Sequence, residues 1–122
     1  MAVLIEGVRN VLLANGVTPV HLLVAPQDGR SGVVVRPYSA EKVGDLPLSA
    51  VAVQVKATGN SFLESEALSW QAYNVLIDPL ATVACDRLVL SVTPKQEPYW
   101  LGEGDDGKHV HVFNVDIYGA WK

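Results

Sequence analysis

Ile5, Val8 and Leu12 recur at spacings of three and four, with Glu6, Arg9 and Asn10 between them and Gly16 behind. That period predicts a first helix over residues 2–15, ended by a glycine suited to the left-handed position that closes helices. Val20, Leu22 and Val24 then alternate with His21, Leu23 and Ala25. The turn formers PQDGRSG occupy 26–32, and a valine run reaches Arg36. A period of two on either side of a Gly/Pro-rich turn predicts a hairpin. Residues 37–47 (PYSAEKVGDLP) hold no period, so a long loop is expected there, with Tyr38 as an interface candidate.

The cleanest alternation is Ala50 to Thr58: Val51, Val53, Val55 and Ala57 on one face, Ala52, Gln54, Lys56 and Thr58 on the other. One face is core and the other is wet. Gly59-Asn60 breaks this strand, and Ser61 to Glu64 fits the S-x-x-E capping box that opens a helix. That helix should end near Asp78, because Pro79 disfavours helical geometry at the residue before it. On a helical wheel Glu64, Gln71, Asn74 and Asp78 share a sector about 80° wide, while apolar residues fill most of the rest. An arc so broad means either a helix well buried in its own domain or one that also meets a neighbour, with Trp70 a candidate contact.

Residues 87–93 (RLVLSVT) and 110–118 (VHVFNVDIY) complete the strands. In the last, apolar parity switches from Val110 and Val112 to Phe113, Val115 and Ile117, which calls for a bulge or for burial on both faces. The expected fold is α+β, in the order α-β-β-β-α-β-β. It has about five strands in a mostly antiparallel or mixed sheet and two helices on one face, in a single domain spanning 1–122. The opposite face must then be wet or paired with something.

Composition narrows the function. A chain of 122 residues can bury roughly two-thirds of its unfolded surface in one core. Only 18% of residues are charged against 49% hydrophobic, the reverse of a disordered chain and a hint that partners cover some surface. The net charge is -4, and the nine basic residues are scattered, so no patch for gripping nucleic-acid phosphates is present. No apolar run is long enough to span a membrane, and MAVLIEGVRN lacks the basic start of a signal peptide, so synthesis in the cytosol is expected. Cys85 alone can form neither an internal disulfide nor a cysteine zinc cage, and is expected to be a small buried hydrophobe.

Candidate chemistry is sparse. Gly102 to Gly107 reads G-x-G-x-x-G, yet a strand follows it where a dinucleotide site needs a helix, and Glu103, Asp105 and Asp106 would repel a pyrophosphate. It is read as a β-connection in which Asp106-Gly107 supplies a turn with positive φ. His109 and His111 share one face of a strand, a legitimate ligand spacing, and are expected to be partly exposed. A small metal-dependent enzyme or ligand-binding domain built on them, with a third ligand from the acidic turn or His21, is the rival from another class. No nucleophile motif is present, so neither catalytic residues nor a cofactor are expected. Pro98-Tyr99-Trp100-Leu101 is expected as a loop beside the acidic turn, either an exposed interface anchor or a cap folded onto the core. Trp121 raises the same alternatives near the C-terminus.

The strand ending on Val51 to Ala57, the helix from Phe62, the strand across Leu88 to Thr93, Glu97-Pro98, Leu101-Gly102, the acidic turn to Gly107-Lys108 and Phe113-Asn114-Val115 together resemble the small tail-terminator or minor capsid proteins of long-tailed bacteriophages. The likeness covers about the C-terminal two-thirds of the chain. It departs from the family at Gly104, where an aspartate is usual, and at Lys108, where an arginine is frequent. The resemblance implies a homo-oligomeric ring, a hexamer, that caps the tail tube, stops its growth and meets the head connector or neck protein. Its location would be the virion tail or neck, after assembly in host cytoplasm. DNA would pass through the channel without specific binding, and the negative charge suits such a conduit. A head-completion or tail-tube-like neck protein is the alternative within the same assembly. Tyr38, Trp70, Tyr99, Trp100, Leu101 and Trp121 are the candidate subunit or axial contacts, and Gly102, Asp105, Asp106 and Gly107 form the candidate turn.

Overall fold

The computed structural model describes residues 2–22, 31–42, 49–78, 88–104 and 106–120. The elements are α1 (Ala2–Ala14), β1 (Val20–Leu22), β2 (Gly32–Lys42), β3 (Ser49–Gly59), α2 (Phe62–Ile77), β4 (Leu88–Glu103) and β5 (His109–Ala120). The strands form one sheet in the order β1-β2-β3-β5-β4, antiparallel except for the parallel pair β1 and β2. The fold is therefore α+β with a mixed sheet, in the predicted element order.

Both helices sit on one face. Val8 and Leu12 of α1 and Ala72, Tyr73 and Leu76 of α2 join Val33, Val35, Val51, Val53, Val55, Ala57, Phe113, Val115 and Ile117 in a single buried cluster. Each large side chain buried in this way contributes about 1.5–3 kcal/mol. The odd-numbered residues of β3 and β5 point to the helices, because Val55 lies opposite Phe113 and Val53 opposite Val115 in an unbroken register.

Local chemistry sets the helix ends. Gly16, at φ 85, lets the Val17 amide donate to Leu12 and the Gly16 amide donate to Leu13, satisfying two carbonyls left open at the end of α1. The Ser61 side chain accepts from the Glu64 amide at 3.1 Å, the capping bond expected from the sequence. Glu64, Gln71, Asn74 and Asp78 are all exposed, as the helical wheel requires.

Four expectations are corrected. The hairpin expected from residues 20–36 is a parallel pair, Val20 beside Val33 and Leu22 beside Val35. The Val33 amide donates to the Pro19 carbonyl at 2.9 Å, which places the starts of the two strands side by side. Alternation reports which face a residue takes and is blind to strand direction.

The loop expected from residue 37 is strand as far as Lys42, paired with β3 across a bulge at Tyr38; residues 43–48 lie outside the described segments. Its period is lost because β2 runs on beyond cover, with residues 38–42 all exposed.

The Pro98–Leu101 loop is likewise part of β4, where register shifts at four places scramble the alternation. His111, expected to be partly exposed, is 2% exposed.

The parity switch in β5 resolves as burial on both faces. Its register with β3 carries no bulge, and Val112, on the face away from the helices, is 1% exposed opposite Tyr99. Among the described residues no helix is long and apolar enough to cross a membrane.

Candidate functional site

β3 delivers the chain to α2 through Gly59 and Asn60, and the first turns of α2 lie tightly on the sheet. A Cβ on Gly59 would stand 2.6 Å from the Ser65 amide nitrogen, so only glycine permits this approach. The helix accordingly presents small residues to the strands: Ser65, Ser69 and Ala72 are fully buried, while Leu63 on the first turn is 72% exposed.

Ser65 Oγ donates to the Ala57 carbonyl at 3.0 Å and lies 2.8 Å from His111 Nδ1. The hydroxyl has one hydrogen, committed to the carbonyl, so Nδ1 carries the proton and donates to Oγ. Burial lowers the His111 pKa from its ordinary 6.5, against an opposing pull from Glu66, while His109 lowers it further. The imidazole is thus held neutral, as a structural hydrogen-bond donor linking β3, α2 and β5. A catalytic reading fails here on geometry, because a serine hydroxyl enclosed at 0% exposure and bonded to a carbonyl meets no substrate.

Above this buried pair lies an aromatic group open to solvent. Phe62 stands edge-on to His111 with centroids 4.8 Å apart and packs against Trp100 at 5.9 Å. Trp100 in turn stacks on His109 at 6.2 Å. Phe62 is 41% exposed, Trp100 50% and Leu101 54%. The acidic turn borders them: Gly107 adopts φ 77, the Gly104 amide donates to the Lys108 carbonyl, and the Lys108 amide donates to Asp106 Oδ1. The positive-φ turn expected at Asp106-Gly107 is present. Lys108 Nζ donates to Asn60 Oδ1, joining the turn to the entry of α2.

The remaining candidates disperse. Tyr99 is exposed but points to the opposite face from Trp100, since it lies across from Val112 while Trp100 lies across from His111. Neither residue folds back to cap the core. Tyr38, at the β2 bulge, is exposed on the open face, with Lys95 Nζ 5.8 Å from its ring centre. Lys95 also pairs with Asp116 at 3.5 Å, and Asp116, then Tyr38, raises its pKa. Trp70 is half-buried against Tyr73, with centroids 5.3 Å apart, and packs on the core rather than standing clear of it. Gly102 is a positive-φ residue within β4. Trp121, Asp105 and Cys85 lie outside the described residues.

His109 and His111 do share the helix-side face of β5. Among the described residues, however, no three His, Cys, Asp or Glu side chains converge as a metal site requires. His111 Nδ1 is already engaged by Ser65. Phe62 is the residue that sequence reasoning missed: it was read only as the start of the helix. Its position after the Ser61 cap and one turn before the buried Ser65 was the available signal. No protein-family model matches the chain, and no curated protein matches it.

Proposed function

We propose that this chain is a structural assembly protein of a long-tailed phage virion, a tail terminator that closes into an oligomeric ring on the tail tube and meets the head connector. It acts through shape and association, without catalytic residues or a cofactor. The observation that carries the reading is the exposed apolar surface of Phe62, Leu63, Trp100 and Leu101 at one end of the sheet. Side chains of that size left open on a small domain mark an interaction surface. The resemblance across the C-terminal two-thirds of the chain supplies the kind of assembly.

A closed ring needs two different patches on each subunit. The open sheet face around Tyr38, Lys95 and Tyr118 provides one of them, and the aromatic end is left to an axial partner, the tube or the head connector.

Native mass spectrometry at high concentration, on the chain alone and with a tail-tube protein, tests the proposal. A ring, either free or formed on the tube protein, is expected. Monomer alone in both samples, with no association, would remove it.

A further inference from the structure

The end of the sheet where α2 begins combines an aromatic surface with one-sided charge. Residues 60–67, 97–104 and 106–111 contain five carboxylates, Glu64, Glu66, Glu97, Glu103 and Asp106, and a single cation, Lys108. With Asp105 of the same turn, the sequence of this end holds six carboxylates against one lysine, more than the formal charge of -4 for the whole chain. Four of the five carboxylates are exposed and Glu66 is half-buried.

Four of them, Glu64, Glu66, Glu103 and Asp106, border the aromatic group. Glu103 lies across from His109, which stacks on Trp100. Asp106 belongs to the adjoining turn, Glu64 follows the exposed Leu63, and Glu66 is near enough to His111 to act on its charge. Lys108 is occupied with Asn60.

Two further observations restrict the occupant. β4 is an edge strand, but Pro94 and Pro98 remove amide donors from it and register shifts distort it, so an added strand finds a poor template. The occupant therefore meets side chains. A second copy placed face to face would set four carboxylates against four, which electrostatics disfavours.

We propose that this surface docks a basic amphipathic segment of another protein. Its apolar face covers Phe62, Trp100 and Leu101, and its lysines or arginines meet the ring of carboxylates. An apolar centre inside a charged rim is the usual anatomy of such a contact, with the aromatics as anchors and the charges setting partner choice. The assignment holds whether or not the chain closes into a ring.

Fluorescence anisotropy of the full chain with a labelled amphipathic leucine-lysine peptide, and with its leucine-glutamate counterpart, tests it. The lysine peptide is expected to bind, more weakly as salt is raised, and the glutamate peptide to fail. Trp100→Ser, Leu101→Ser and the triple change Glu64→Gln, Glu66→Gln, Glu103→Gln should each weaken binding roughly tenfold or more. Lys56→Gln on the opposite face should leave it unchanged, with circular dichroism reporting that every variant is folded. Equal binding of both peptides, or undiminished binding by folded Trp100→Ser and Leu101→Ser, overturns the proposal. So does self-association that Trp100→Ser abolishes and the lysine peptide does not displace, which would give the surface to a second copy. Ring formation is read separately by native mass spectrometry, so either idea can fail alone.

Discussion

Two serines on one face of α2 have opposite energetic signs. Ser65 Oγ is saturated, giving its hydrogen to Ala57 and receiving one from His111, whereas the buried Ser69 Oγ has no partner among the described residues. Ser65→Ala strands the imidazole donor and should cost about 1–3 kcal/mol in urea unfolding, while Ser69→Ala removes an unsatisfied hydroxyl and should be neutral or slightly stabilising. Equal losses at both positions would contradict this assignment of hydrogen bonds. His111 also predicts a pH dependence. Its pKa is lowered on folding, so the unfolded chain binds the proton more readily. The stabilising contribution is full above the unfolded value near 6.5 and is lost as pH falls through the lower folded value. Melting temperature should therefore drop on acidification below about pH 6.5, and His111→Asn should flatten that slope relative to the parent. None of this was legible beforehand: a serine on an apolar helix gives no sign of the carbonyl it will meet, and His111 was expected to touch water.

At the scale of elements, the junction of β3 with α2 is the tightest fit described. Gly59→Ala should destabilise by about 1–3 kcal/mol or more, because the new methyl meets the backbone of Ser65, which cannot rotate away. A loss no larger than that of an ordinary surface change would mean that the helix stands further off. The α2 start was legible because Ser61 and Glu64 are local chemistry, three residues apart. β2 and β4 were cut short for the opposite reason. Their outer parts lie beyond the helices or on the sheet edge, where bulges at Tyr38 and along Pro94–Gly102 break the period and no buried face imposes one. Such strands are held by backbone pairing with β3 and β5, a partner that side-chain patterning does not reveal.

For the whole molecule, the distribution of apolar surface decides what can associate. Leu63→Ser and Leu101→Ser change side chains that are 72% and 54% exposed, so stability should stay within about 0.5 kcal/mol while association weakens. Analytical ultracentrifugation with the tail-tube protein, beside a thermal melt, separates the two effects, and unchanged association in both variants would exclude this end of the sheet as a contact. The candidate site was only partly visible in the chain. Trp100, Leu101 and the turn at Asp106-Gly107 were found because large apolar residues beside an acidic turn stand out. Trp70 is half-buried on the core, and Tyr99 was grouped with Trp100 although the pleat sends them to opposite faces. What the sequence by itself determined is the element order, the core face of β3, the exposed sector of α2 and the helix ends, since each follows from periods and caps acting over a few residues. Tertiary structure alone decided the parallel pairing of β1 with β2, the burial of His111 on Ser65, and the meeting of Phe62 with Trp100 and His109. Those contacts join residues far apart in the chain, and their geometry is set by how closely α2 can settle on the sheet.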